Sequence, residues 1–269
     1  VKYAGDNNYN EAAGSAEFSV LKITPEMDVV VDGTVFGEDL TIDVSLPDDA
    51  TGEVVITVNG KDYIVANYTE VIVDGKVTKT IGGLAADYYT IAVKYAGDGN
   101  YNAVDVIKGV NVAKAQPVLG VVIADVDYGN GFVIEATLTG VNGAPLTGNV
   151  IVTVAGKEYT VKVIDGKGIA TGDKLAAGTY GFAAAWAGND NYNAVGDSGK
   201  FNVNKVDSAI DVTVKDINVG EDAVISVKLA SDATGEVVIT VNGEDYTAAI
   251  ENRLTSVTVS SLEAGDYTV

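Results

Sequence analysis

Three acidic side chains in a recurring polar motif are the clearest candidates for ligand chemistry in this sequence. Asp6, Asp98 and Asp190 each lie in a short Gly-, Asp- and Asn-rich stretch bounded by aromatic residues. Calcium takes about six to eight oxygen ligands from carboxylates, carbonyls and water, so these stretches could bind it if acids of a neighbouring domain contributed. Asn and Asp are also typical turn residues, because their side chains bond their own backbone. The sequence favours turn formation, keeps calcium as the alternative, and predicts no other cofactor.

A second candidate chemistry is a covalent cross-link. Lys22, Lys114 and Lys205 occupy one recurring position after a predicted strand. An isopeptide bond between Lys and Asn would need a buried lysine with a carboxylate beside it in fixed register. In one copy the strand position that would supply this carboxylate is occupied by Ser226, so the carboxylate does not recur in every repeat. We therefore expect a salt bridge at the rim or the junction rather than a cross-link.

The composition excludes several classes of function. The chain of 269 residues contains no His and no Cys, which removes His general bases, thiol nucleophiles, zinc sites built from these residues, and disulfides. Its net charge is -21 and Arg253 is its only arginine, so nucleic acids and anionic membranes are not expected partners. No apolar stretch approaches the roughly 20 residues that span a bilayer. We expect a protein that is not an enzyme and does not insert into a membrane.

The elements that must position these residues come as internal repeats of about 90 residues. Two markers each occur three times, in the same order and at nearly constant spacing. A unit of this length is one small domain rather than a solenoid turn, so the sequence predicts tandem domains. The markers are Tyr3–Asn10 with its copies Tyr95–Asn102 and Trp186–Asn193, and Thr51–Gly60 with its copies Thr147–Gly156 and Thr234–Gly243.

Inside each repeat the apolar residues recur with a period of two, which indicates strands. Between residues 40 and 46, for example, every second side chain is apolar. Two-residue turn signals separate such runs, since both positions of a type I′ hairpin need positive φ. About seven short strands result per repeat, without a helical period, which favours an all-β antiparallel β-sandwich. The turn signals are Asn59-Gly60, Asp74-Gly75, Asp165-Gly166 and Asn242-Gly243.

A recurring tyrosine refines the sandwich to an immunoglobulin-like one. Tyr89, Tyr180 and Tyr267 end a Leu-x-Ala-Gly-x-Tyr pattern, with Asp87 replacing the glycine in the first copy. The pattern fits the corner before strand F, where a tyrosine hydroxyl bonds to backbone upstream. Together with the Tyr-x-Gly-Asp-x-Asn-Tyr hairpin, it resembles the group 3 bacterial immunoglobulin-like repeats of large surface adhesins, including adhesin-like proteins of methanogenic archaea. The resemblance covers the whole chain and implies an extracellular, tandemly arrayed segment without catalytic residues.

Alignment of the markers predicts four parts. The repeats follow one another without a Gly- or Ser-rich spacer, which predicts a beaded rod. The frame has two interpretations: a window on a longer chain, or a leading segment that completes the last repeat of another copy, head to tail. The parts are residues 1–23, the leading segment, which is the end of strand F and strand G of a preceding repeat; 24–115, the first repeat; 116–206, the second repeat; and 207–269, the third repeat, which lacks its last strand.

Two insertions distinguish the repeats and are places where recognition could occur. Residues 64–73 include five extra residues and the only N-glycosylation sequon, which begins at Asn67. Residues 139–148 include four extra residues in a Gly- and Pro-containing loop. Tyr95 and Trp186 could form a platform for sugars, but their phase along an alternating strand favours the core.

These features predict a structural role. We expect a repeat segment of an extracellular surface adhesin, stalk or filament, whose partners are neighbouring repeats or head-to-tail copies of itself. The alternative is a binding module that recognises surface glycans or proteins through the insertions 64–73 and 139–148. Both interpretations place the segment outside the cell, at its surface.

Overall fold

A computed structural model describes residues 1–60 and 64–269, and this part of the chain is almost entirely β-structure. Its leading segment is a hairpin in which β1 (Lys2–Tyr3) pairs antiparallel with β2 (Ala12–Ala13). The one helical turn among the described residues is a 3-10 turn at Val141–Gly143.

The first repeat is a sandwich of two sheets. One sheet has the order β3-β5-β8 and the other the order β4-β10-β9-β6-β7. The short β4 runs parallel to β10, whereas β10, β9, β6 and β7 pair antiparallel. The strands are β3 (Asp28–Val31), β4 (Thr34–Val35), β5 (Leu40–Ser45), β6 (Glu53–Asn59), β7 (Ile64–Val71), β8 (Lys76–Ile81), β9 (Asp87–Tyr95) and β10 (Val104–Ala113).

The second repeat has the same topology. Its sheets have the orders β11-β13-β16 and β12-β18-β17-β14-β15, and β12 runs parallel to β18. The strands are β11 (Val118–Ile123), β12 (Val126–Asp127), β13 (Gly131–Thr139), β14 (Gly148–Val154), β15 (Lys157–Val163), β16 (Lys167–Lys174), β17 (Gly178–Trp186) and β18 (Val195–Asn204).

The third repeat contains a three-stranded sheet, β19-β20-β23, and a two-stranded sheet, β21-β22. The first sheet corresponds to β3, β5 and β8 of the first repeat, and the second sheet corresponds to β6 and β7. The strands are β19 (Asp211–Thr213), β20 (Ala223–Lys228), β21 (Glu236–Val241), β22 (Glu244–Ala249) and β23 (Leu254–Val259).

Alternation of side chains explains why these segments form strands around a core. Along β5 the side chains are alternately buried and exposed, because the apolar residues occupy every second position. In the first repeat, Ile42 and Val44 of one sheet and Ile56 and Ile91 of the other all belong to one buried cluster. Among the described residues no polar or charged residue is buried, so the core is held by apolar packing alone. The predicted tandem immunoglobulin-like sandwiches are confirmed.

The turn chemistry also follows the sequence, with one correction. Asn242 and Gly243 join β21 to β22 with φ values of 52° and 84°, as a type I′ hairpin requires. The turn predicted at Asn59-Gly60 is followed by residues 61–63, and those three residues lie outside the described part. Most of residues 64–73, expected as an inserted loop, is instead strand, because the segment contains the whole of β7, which pairs with β6. The extra residues therefore lengthen a strand at the edge of the sheet instead of forming a loop.

By their contacts, the described residues fall into two compact units. One unit contains the leading segment, the first repeat and most of the second repeat, and the other contains the third repeat with three short segments of the second. No helix within the described ranges combines the length and apolar character needed to cross a membrane. The units are Val1–Asp125 with Gly131–Asp173 and Thr179–Asn202, and Val126–Asn130 with Lys174–Gly178 and Val203–Val269.

Candidate functional site

The recurring polar motif forms the tip of the hairpin between the last two long strands of each complete repeat. In the first repeat the tip is closed by Asp98, whose Oδ1 accepts the N–H groups of Asn100 at 2.8 Å and Tyr101 at 2.9 Å. Its Oδ2 accepts both the N–H and the hydroxyl of Thr51, at 2.9 and 3.0 Å. These donors, led by the Thr51 N–H, hold the pKa of Asp98 well below its ordinary value. The carboxylate therefore ties the tip to the turn between β5 and β6.

The leading segment builds the same tip from Asp6. Its Oδ1 accepts the N–H groups of Asn8 and Tyr9 at 2.7 and 2.9 Å, and its Oδ2 accepts the Tyr3 hydroxyl at 2.8 Å. The hydrogen bonds, led by the Asn8 N–H, lower the pKa of Asp6.

In the second repeat the turn residue is Asn189, one position before the predicted Asp190. The Asn189 Oδ1 accepts the N–H groups of Asn191 and Tyr192, both at 2.9 Å. Asp190 is exposed and stands where the first repeat has Gly99. No group of three or more acidic side chains that could hold a metal occurs within the ranges that the structure describes. The observed hydrogen bonds are those of turn formation, and calcium binding at the tips stays a prediction.

Tyr95 and Trp186 lie at the base of the tips and are buried, with exposed fractions of 2% and 4%. A sugar platform built on these rings is therefore wrong. The Tyr95 hydroxyl donates to the Thr51 carbonyl at 3.0 Å, and burial raises the pKa of Tyr95 to about 12. Both rings fill the end of the sandwich beneath the tip.

A second aromatic of the motif closes each tip, but with a different partner. The Tyr101 hydroxyl donates to the Asp49 carboxylate at 2.6 Å, which raises the pKa of Tyr101. In the second repeat the Tyr192 hydroxyl accepts the Val141 N–H at 3.2 Å. Val141 lies within the insertion 139–148, so a backbone group of this loop takes the place of the carboxylate as the partner of the tyrosine hydroxyl.

The tips also hold the chain segment that enters each repeat. Ile23 donates its N–H to the Asn100 carbonyl at 3.1 Å and accepts the Asn102 N–H at 2.8 Å. Ala115 makes the equivalent pair with Asn191 and Asn193, each at 3.0 Å. The linker residues are therefore bonded into the sandwich on both backbone groups, as isolated parallel bridges.

The recurring lysines reinforce this contact. Lys22 donates to the Asp98 carbonyl, and Lys114 donates to the Asn189 carbonyl at 2.7 Å. Lys205 is exposed. Cross-linking would need a buried lysine, and none is buried among the described residues, so these side chains fit a role as clamps on the tips.

The corner tyrosines make the contact that defines a tyrosine corner. The Tyr89 hydroxyl donates to the Ala85 carbonyl and the Tyr267 hydroxyl to the Glu263 carbonyl, each at 3.0 Å. Tyr180 is half-buried at the same place, and its ring packs near Phe201 with centroids 5.9 Å apart.

Asn67, the sequon asparagine, lies in β7 opposite Thr57 and is exposed. It lies in β7, the edge strand of its sheet, so a glycan would be attached at the border of the sandwich.

Two functional positions escaped the sequence reasoning. Phe36 follows β4, and its ring packs edge-to-face on Tyr192 with centroids 5.3 Å apart and an interplanar angle of 77°. The Ala86 N–H donates to the Asn191 Oδ1 at 2.9 Å. The available signal was the aromatic-glycine pair Phe36-Gly37, which recurs as Tyr128-Gly129.

The described surface also has two concave regions. A groove of about 610 Å³ in the third repeat is lined by apolar residues such as Ile225, Val241 and Leu262. A wider depression of about 920 Å³ lies beside the tip of the first repeat, near Val55 and Val71. Charged side chains also line both regions, among them Asp216 and Glu263 in the groove and Lys94 and Asp105 in the depression.

Comparison with known proteins adds no family. No protein-family model matches the chain, and no curated protein matches it. Similar solved structures include fibronectin(III)-like modules of Clostridium thermocellum CbhA, at 16% identity over 67% of this chain and 95% of that chain, with a TM-score of 0.29. A three-domain immunoglobulin segment of titin, in an E-to-A mutated variant, shows 15% identity over 90% and 91% of the two chains, with a TM-score of 0.39.

The titin domains z1z2 in complex with telethonin show 12% identity over 70% of this chain and 100% of that chain, with a TM-score of 0.38. The strand order and register, rather than these likenesses, define the immunoglobulin-like fold of this chain.

Proposed function

We propose that this chain is a structural repeat segment of an extracellular adhesin, stalk or filament at a cell surface. The observation that carries the proposal is the hydrogen bonding of the linker residues. Ile23 and Ala115 each bond through both backbone groups to the tip of the repeat that they enter. Tension on the chain would reach a hydrogen-bonded sandwich immediately, with no slack segment to extend first.

Two further features support the same role. The core is apolar throughout the described residues, and the absence of cysteine makes stability independent of redox conditions. A net charge of -21 disfavours collapse of neighbouring fibres onto one another. An extracellular location fits both features.

Single-molecule stretching of the full chain tests the proposal. We expect discrete unfolding events for the first and second repeats, each releasing about 300 Å of chain, since an extended residue spans about 3.3 to 3.6 Å. Gradual extension at low force, without discrete events, would contradict a load-bearing role.

A binding module remains the alternative function, and it now depends on the second insertion. Residues 64–73 are mostly strand, and Val141 within 139–148 is engaged by Tyr192. A glycan screen with the full chain and with a variant shortened by four residues in 139–148 separates the two functions. Saturable binding that disappears in the shortened variant would favour the module, and absence of binding in both would favour the stalk.

Head-to-tail assembly is a second candidate within the structural role. Phe18 and Val20 are each 88% exposed, whereas their counterparts Val110 and Val112 are 4% and 1% exposed. A strand of this pattern from another copy could place its apolar side chains against Ile225, Val241 and Leu262 in the groove of the third repeat, by strand addition. Electron microscopy together with the mass under denaturing conditions tests it: filaments of non-covalent subunits support assembly. Phe18→Asp should abolish the filaments, whereas Ser19→Asp should not, because its counterpart Asn111 is exposed in the first repeat.

A further inference from the structure

The aromatic-glycine turns after β4 and β12 have the same backbone geometry. The Phe36 N–H donates to the Ala113 carbonyl at 2.8 Å, and the Tyr128 N–H donates to the Asn204 carbonyl at 2.9 Å. Each acceptor is the final residue of the last strand of its repeat. The following glycines have φ values of 92° and 91°, which glycine adopts without strain. The turn therefore fixes an aromatic side chain beside the point where the chain leaves each repeat.

The first of these aromatics contacts the repeat that follows. The Phe36 ring meets Tyr192 edge-to-face at 5.3 Å, a preferred geometry for aromatic pairs. Tyr192 is 6% exposed, so its ring is enclosed between its own repeat and the preceding one. Its hydroxyl is engaged by the Val141 N–H.

The inserted loop and the tip complete the surface around this pair. A Cβ placed on Gly37 would come within 2.9 Å of the Val141 Cγ1, so that the loop lies directly against the aromatic-glycine turn. On the other side the Asn191 side chain accepts the Ala86 N–H at 2.9 Å. Three separate contacts therefore hold the first repeat against the second.

The second aromatic reaches a residue of the third repeat. The Tyr128 hydroxyl donates to the Asp232 carboxylate, and this bond raises the pKa of Tyr128. Asp232 corresponds in the repeat alignment to Asp49, which accepts the Tyr101 hydroxyl in the first repeat. One turn position thus serves two junctions with different chemistry, an aromatic stack in one and a hydroxyl-carboxylate bond in the other.

We propose that the aromatic-glycine turn is the docking element through which each repeat engages the next repeat of the chain, and that the insertion 139–148 is a wedge that sets the first junction. This inference deepens the proposed structural role by naming the surfaces that join the repeats. Its test concerns junction contacts alone, so it can succeed or fail independently of an extracellular stalk function.

Hydrogen exchange of the full chain, read at single amides, tests the proposal with reciprocal variants. Phe36→Ala should increase exchange of the Ala86 N–H at least about tenfold and leave the Ala233 N–H unchanged. Tyr128→Phe should increase exchange of the Ala233 N–H, which closes the turn that carries Asp232, and leave Ala86 unchanged. Unaltered exchange at both amides, or equal changes in both variants, would overturn the proposal.

A distance measurement supplies an independent readout for the first junction. Because the chain has no cysteine, cysteines introduced at the exposed positions Lys108 and Lys167 accept one spin label each. Phe36→Ala and a variant lacking four residues of 139–148 should at least double the width of the distance distribution. An unchanged width in both variants, with native circular dichroism, would show that the contacts do not restrict the junction.

Discussion

The hairpin tips of the first and second repeats share a backbone and differ in how they are closed. The turn residue is Asp98 in one and Asn189 in the other, and each accepts the same two N–H groups. Only Asp98 continues to Thr51 through its second oxygen. The first tip is therefore held by charge, and the second by neutral hydrogen bonds.

The tip tyrosines show the same difference. Tyr101 donates to a carboxylate, whereas Tyr192 accepts a backbone N–H from the inserted loop. Pro145 stands in the second repeat where the first has Asp49, so the carboxylate is lost and the insertion supplies another partner. The comparison teaches that a repeat can change its tip electrostatics while keeping the linker contact that the tip provides.

The largest effect should come from the aromatic residues that support both tips. Trp186→Ala should destabilise the second repeat by about 3 to 5 kcal/mol, because it empties a buried site. Trp186→Phe should cost less, since the smaller ring keeps part of the packing. Denaturant unfolding followed by hydrogen exchange of peptides from each repeat measures the change. Tyr95→Ala should destabilise the first repeat by a similar amount. If only one of the two variants destabilised its own repeat, the two aromatic residues would not have equivalent roles.

The next largest difference between the two tips should appear when the pH is lowered. The folded-state pKa of Asp98 is lowered, so its stabilising contribution is present above the unfolded pKa of about 4 and is lost as the pH falls through the folded value. In the second tip the residue that accepts the two turn N–H groups is Asn189, which carries no charge. Protection factors at Tyr101 and Tyr192 should therefore diverge on acidification.

Asp98→Asn is the matched control for that prediction, because Asn189 shows that an asparagine makes the same two turn bonds. The variant should remove the acid dependence at the first tip while keeping the turn. Equal acid sensitivity at both tips of the unmodified chain would contradict the role assigned to Asp98.

A smaller effect should follow removal of one hydroxyl. Tyr192→Phe leaves the Val141 N–H without its acceptor and should cost about 1 kcal/mol. Trp186 is the only tryptophan, so its fluorescence reports unfolding of the second repeat directly. Tyr246→Phe in the third repeat serves as control and should leave that transition unchanged. A transition shifted equally by both variants would refute the assigned contact.

The smallest effect should be the same in both tips. Lys22 and Lys114 are exposed and each donates to a tip carbonyl, so Lys22→Ala and Lys114→Ala should each cost about 0.5 kcal/mol. Thermal unfolding at low and high salt measures both. A cost above about 2 kcal/mol in either variant would indicate a role beyond clamping.

Much of the architecture could be predicted from local pattern. Alternation along residues 40–46 indicated a strand with one buried face, and Asn242-Gly243 indicated a hairpin, because each depends on neighbouring residues alone. The five extra residues near Asn67 were harder to interpret, since an insertion can lengthen a loop or a strand equally well. Pairing with β6 decided for the strand.

The sequence alone determined the repeat, the period of two and the positions of the turns, because these follow from local conformational preference and from side-chain direction. Only the tertiary structure decided which groups meet at the junctions. Ala86 and Asn191 are 105 residues apart in the chain, and no periodicity relates a backbone N–H to a side chain at that separation. The meeting of Phe36, Tyr192 and Val141 likewise depends on how one sandwich packs against the next.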